Sequence, residues 1–190
     1  MKEEVHTDKV FENVVYSETG LTGQEFEDCR FKSCDFSQSD LSNSRFSDCR
    51  FIDCNLGMAK VSHAGLSNVT FLNCKVVGVN FSHCLPLLFS VSFENCSLDY
   101  SIFTRCRLKK TKFKECSIRE ADFTEADLTA ASFDGCDLSN AVFSRTNLSQ
   151  ADFRTARNYA INLEINPARK AKFSLSGING LLRQYDILVE

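Results

Sequence analysis

The chain reads as an all-β solenoid: a right-handed, four-sided parallel β-helix of short repeats, closed by a small C-terminal helical cap. Three observations predict it. Apolar residues recur every five positions, a smaller residue recurs two places before each of them, and side-chain size recurs every twenty. A period of five fits neither a helix at about 3.6 nor a strand at about 2, so each unit must make one short side and turn a corner. Four such units make one coil, and stacked coils make a rod.

A repeat is sought first because missing it misreads the whole fold. From Phe11 through Tyr16, Leu21, Phe26 and Phe31 to Phe81, every fifth residue is apolar. After a seven-residue step the rule resumes at Leu88 and runs without a break from Phe93 to Phe153. All ten cysteines fall at the second, smaller position: nine precede a centre directly, and Cys84 continues the first register before it slips. Between Glu12 and Phe153 neither position carries a charge, which marks both as inward, because unpaired charges are rarely buried.

Coil arithmetic supplies the ladders. Residues twenty apart, with two added across the interruption, are Phe11, Phe31, Phe51, Phe71, Phe93, Phe113, Phe133 and Phe153. A second ladder runs from Leu21 and Leu41 to Phe123 and Phe143, and a third runs Phe26, Phe46, Leu66, Leu88, Leu108, Leu128, Leu148. The fourth side is preceded at every coil by a cysteine: Cys34, Cys54, Cys74, Cys96, Cys116 and Cys136. These form a predicted thiol ladder. Buried thiols act as small hydrophobes, while rungs about 4.8 Å apart lie within the reach of a disulfide, so a structural and a redox reading both stand at this point.

The pattern divides the chain into a repeat rod over 1–157, with a register slip at 82–87, and a C-terminal cap over 158–190. Ser174 is placed to cap a helix through Tyr185 with Leu175, Ile178, Leu181 and Leu182 on one face. Ile187, Leu188 and Val189 read as a last short strand.

Charge adds little by its total and more by its distribution. The net value is −3, but the chain through Phe153 holds 16 bases against 22 acids, and the remainder 6 against 3. With no apolar leader and no run long enough to span a bilayer, the expectation is a cytoplasmic protein with reduced thiols and no membrane partner. Arg105, Arg107, Lys109, Lys110, Lys112, Lys114 and Arg119 form a basic belt at outward positions; a solvated face and a contact to an acidic partner are the alternatives. The interruption Ser82-His83-Cys84-Leu85-Pro86-Leu87 must change the outline of the rod. It is either a register repair or a contact point. The candidate partner contacts are therefore His83, Leu85, Pro86 and Leu87 with Lys109, Lys110, Lys112 and Lys114. No hydrolase, phosphate-loop, dinucleotide or zinc-protease motif occurs, and His83 beside Cys84 has only His6 and His63 as further histidines. No catalytic residue, metal or cofactor is expected.

Runs such as Ala121-Asp122-Phe123-Thr124-Glu125, Ala126-Asp127-Leu128-Thr129-Ala130 and Ala151-Asp152-Phe153-Arg154-Thr155 resemble the alanine-aspartate-leucine/phenylalanine pattern of the pentapeptide-repeat family. In the tail, Asn158-Tyr159-Ala160-Ile161-Asn162, Ala171-Lys172-Phe173-Ser174-Leu175, Leu181-Leu182 and Asp186-Ile187-Leu188-Val189-Glu190 are similar to the C-terminal module of its Qnr-like and McbG-like subgroup. That resemblance implies a DNA-mimicking rod that binds DNA gyrase and topoisomerase IV, protects them against quinolone-type inhibitors without binding DNA itself, and pairs as a homodimer. It places the dimer contact at Ile178, Leu181, Leu182, Ile187 and Leu188. The more general implication is a repeat scaffold for another protein partner. Seven coil steps of about 4.8 Å give a rod of roughly 34 Å, close to one turn of B-DNA. The long loops found in many of the subgroup are absent.

Overall fold

The structure is a computed structural model that describes residues 5–17, 20–185 and Ile187. It is a four-sided parallel β-solenoid, every strand of which pairs in parallel with the strands one coil away. In chain order, side I carries the rungs His6, Phe26, Phe46 and Leu66. Side II carries Phe11 to Phe153, side III Tyr16 to Leu138, and side IV Leu21 to Phe143. Phe31 pairs with Phe51, Phe51 with Phe71, Phe71 with Phe93 and Phe93 with Phe113, so the predicted ladder is the observed register. Its rings stack 4.7–5.5 Å apart with planes within 15° of one another.

The predicted core is the core. Phe31, Phe51, Phe71, Phe93, Phe113, Phe133 and Phe153 are all buried, and so are Cys34, Cys54, Cys74, Cys96, Cys116 and Cys136. Hydrocarbon burial of this density is the main driving force of the fold, at about 25 cal/mol per Å². His6 also belongs to it, stacking on Phe26 at 4.8 Å as the first rung of side I. A search restricted to apolar residues passes over it.

Corners follow the two residues after each centre. The residue two beyond the centre repeatedly has positive φ, from Asp8 at 53° to Gln150 at 62°. At many corners the N–H three beyond the centre closes a tight turn on the carbonyl of the centre, as from Ser39 to Phe36 and from Ala131 to Leu128. This is a type II turn. At the corners before Cys29, Cys34, Cys49, Cys54, Cys74, Cys96 and Cys116 no such bond occurs among the described residues. There the corner is open, and the flanking side is long enough to count as strand.

Three expectations need correction. The resumption at Leu88 is displaced by one: Leu66 pairs with Phe89, which is buried, while Leu88 is 38% exposed. The repeat does not stop after Phe153, because Asp152 bridges to Lys172 and Phe173 stacks on Phe153 at 5.3 Å. Coil stacking therefore crosses the 157/158 boundary. The helix expected from Ser174 to Tyr185 is three pieces, a 3₁₀ turn Leu175–Gly177, one α-turn Asn179–Leu182 and a 3₁₀ turn Arg183–Tyr185. Ser174 does cap it, accepting from the Gly177 N–H. A Cβ at Gly180, inside the α-turn, would collide with the Tyr159 carbonyl, so the missing side chain is what lets the turn seat on the rod. Of the last expected strand, Leu188 and Val189 lie outside the described residues, and Ile187 is 55% exposed.

Candidate interaction surface

Burial pushes the Cys49 and Cys106 thiols up to about 12 and Cys84 higher still, so these groups are protonated at neutral pH and are poor nucleophiles. Eight thiols instead donate to the carbonyl two residues back at 3.2–3.5 Å: those of Cys29, Cys34, Cys49, Cys54, Cys74, Cys96, Cys116 and Cys136. Most reach the preceding coil as well. The structural reading of the cysteines accounts for this geometry. Among the described residues no His/Cys/Asp/Glu group is arranged to hold a metal, and no helix is long and apolar enough to cross a membrane.

The interruption builds a fixed apolar knuckle at the corner between sides IV and I. The Asn80 side chain caps a 3₁₀ turn at Phe81–His83, and a second 3₁₀ turn spans Pro86–Leu88. The His63 N–H donates to the His83 carbonyl and the Leu85 N–H to the Ala64 carbonyl, so the loop is hydrogen-bonded to the coil before it. Leu87 protrudes at 85% exposure. Leu88 lies over Gly65, where a Cβ would stand 3.2 Å from its Cδ1. Of the four predicted loop contacts His83, Pro86 and Leu87 are exposed and Leu85 is half-buried; Leu88 is the one missed. The run Leu85 to Phe89 offers apolar residues in two adjacent registers, and only the closure onto Gly65 chooses between them.

All seven belt cations point outward, but four are already paired. Arg105 meets Glu125 at 2.6 Å, Lys109 meets Asp127 at 3.2 Å, Lys114 meets Glu94 at 2.6 Å and Arg119 meets Asp137 at 3.2 Å. Glu94 one coil before and Glu125, Asp127 and Asp137 one coil after thus compensate much of the belt. Arg107, Lys110 and Lys112 have no ion pair among the described residues. Phe103 stacks on Phe81 and Phe113 on Phe93, so side I carries Arg107, Lys109 and Lys110 one coil beyond the knuckle. Lys112 and Lys114 sit on side II. The two predicted contact groups are therefore neighbours, and Arg107 joins them.

In the tail, Ile178 and Ile187 are outward at 42% and 55% exposure, and Leu182 is half-buried. Leu181 is 8% exposed and belongs to the core, so it is unavailable as a dimer contact. Leu188 lies outside the described residues.

Comparison with known proteins matches the pentapeptide repeat region model at residues 24–103, 87–157 and 106–181. No curated protein matches the chain. Among solved structures, HetL, a pentapeptide repeat protein involved in heterocyst differentiation regulation from the cyanobacterium Nostoc sp. strain PCC 7120, is 17% identical with a TM-score of 0.75, covering 92% of this chain and 88% of its own. A structure of QnrB1, a plasmid-mediated fluoroquinolone resistance protein, is 21% identical with a TM-score of 0.48, covering 98% and 99%. Register, core and family model agree: the chain belongs to the pentapeptide-repeat family.

Proposed function

We propose that the chain is a non-catalytic binding rod that presents its outer faces to a protein partner. The observation that carries this reading is the preformed knuckle beside Arg107, Lys110 and Lys112, which no carboxylate engages among the described residues. A rigid apolar tip loses little entropy on docking, and rim charges steer approach. The tail resemblance supplies the named partner, DNA gyrase or topoisomerase IV in the cytoplasm, with protection against quinolone-type inhibitors by a DNA-like homodimer joined through Ile178 and Ile187. The interleaved ion pairs break the continuous acidic face that mimicry calls for, and this favours the second reading, a scaffold for a different protein.

The test is DNA gyrase supercoiling in the presence of ciprofloxacin, titrated with the intact chain and with Ile178→Asp. Rescue by the intact chain, lost in the variant, supports topoisomerase protection through a dimer. No rescue at a large excess of protein removes gyrase from the proposal and leaves the scaffold. A point substitution is preferable to deleting the tail, because the Leu148 N–H bonds to the Pro167 carbonyl and the Thr146 N–H to the Asn166 side chain. Deletion would open the last coils.

A further inference from the structure

Where the tail folds back along the end of the rod it leaves a cleft of about 570 Å³ between Ser139, Asn140 and Asn158 on one wall and Asn179 and Arg183 on the other. That volume lies within the usual range of small-ligand sites, about 300–1,000 Å³. We propose that this cleft binds a small phosphorylated sugar.

The donor set argues for it. The side chains of Asn140, Asn179 and Arg183 make no hydrogen bond or ion pair among the described residues, and no carboxylate lines the cleft. The nearby Asp137 is already engaged by Ser139, Asn158 and Arg119, so its charge is compensated. Tyr159, 3% exposed, lines the cleft, and its buried hydroxyl completes no hydrogen bond of good geometry among the described residues, although against burial, which raises its pKa, the Ser174 side chain favours the ionised form. A buried polar atom left unpaired is costly, and such atoms gather where a structure does more than hold itself together. An arginine fork suits a phosphate or carboxylate, and side-chain amides both donate to and accept from hydroxyls.

Size and shape narrow the class. Inorganic phosphate alone fills a small part of the cleft. A nucleobase needs an aromatic plate, and the one ring in the lining, Tyr159, is taken up by Phe153 and Phe173 at 5.7 and 5.8 Å. Hydroxyls and one oxyanion match what remains. A ligand there touches both rod and tail, so it holds the tail in place.

The experiment is calorimetric titration of the full chain with glucose 6-phosphate, with glucose and with inorganic phosphate, repeated on Arg183→Gln and Asn140→Asp. Expected are binding of the sugar phosphate in preference to either part, a loss of about tenfold in affinity in each variant, and slower amide exchange over 174–185 on binding. Arg183 is exposed, so unfolding of the free variant should match the parent, and Asn179→Asp provides a further check on the other wall. Absence of heat with millimolar glucose 6-phosphate overturns the proposal. Equal affinity for glucose or for inorganic phosphate, or unchanged affinity in all three variants, does the same.

Discussion

The open and the tight corners of the coil solve one geometric problem by different chemistry. After an open corner the backbone N–H does not close the turn, and a cysteine thiol bonds across it, as Cys54 does to the carbonyl of Ile52. At a tight corner the backbone closes the turn. An Asp or Asn before the centre commonly locks it by accepting the N–H two residues on, as Asp35 does from Ser37, Asp127 from Thr129 and Asp137 from Ser139. Side I changes from one kind to the other one coil beyond the interruption. Cys29, Cys49 and Val69 before it and Val91 just past it follow its open corners; Thr111, Ala131 and Ala151 follow its closed ones. Side II stays open through Phe113; the Cys136 N–H closes a long turn on Phe133 at 3.4 Å, and at Phe153, where Asp152 precedes the centre, Ala156 closes it at 3.1 Å. Cysteine here is chosen by the shape of the corner. Cys84 and Cys106, which follow tight turns, lack the bond to the carbonyl two residues back, and Cys136, after the long turn at Phe133, makes it at 3.5 Å; these three mark the limit of the rule.

The largest effect should come from a rung that both corner types need. Phe113→Ala removes a fully buried ring from the middle of the stack and is expected to cost about 3–5 kcal/mol in urea unfolding. A swap of corner residues sharpens the comparison: Cys74→Ala at an open corner and Ala126→Cys at a tight one should each destabilise by about 1–3 kcal/mol. Two neutral swaps would show that the thiol is incidental to corner shape.

The tight-corner lock has a pH signature. Burial opposes ionisation of Asp137, but hydrogen bonds from Ser139 and Asn158 and the charge of Arg119 outweigh it and hold the carboxyl at about 2. A depressed folded pKa gives stability that is complete above the unfolded value near 3.9 and is lost as pH falls through about 2. Asp137→Asn should therefore cost about 2 kcal/mol at neutral pH, and its stability curve should converge on that of the parent as pH approaches 2. A constant gap down to that pH would assign the loss to packing. The smallest effect is expected from Lys110→Glu with Lys112→Glu, within about 0.5 kcal/mol, because neither side chain has an ion pair to lose among the described residues.

Much of this fold is legible in the residues. The rungs from Phe11 to Phe153 and the cysteine positions follow from burial alone, which a period and the absence of charge reveal. What escaped depends on the backbone or on closure at a distance. The interruption admits two registers, and Gly65 decides for Phe89 over Leu88. The last coil, from Tyr159 through Asn166 to Phe173, keeps hydrogen bonds to its neighbour while its rungs leave the period, and the buried Asn166 takes a backbone group's place by accepting from the Thr146 N–H. The charge pattern of the candidate surface was half legible: outward cations can be counted in a sequence, but the carboxylates that neutralise four of them stand about twenty residues away.

The phenylalanine stack has an optical consequence. The chain has 17 phenylalanines, 4 tyrosines and no tryptophan. Rings held nearly parallel in a chiral column should couple their transitions, giving phenylalanine fine structure in near-ultraviolet circular dichroism that indole absorption would otherwise hide. The rod thus carries its own chromophore for coil order, and loss of that fine structure would report a coil pulled out of register without any added label.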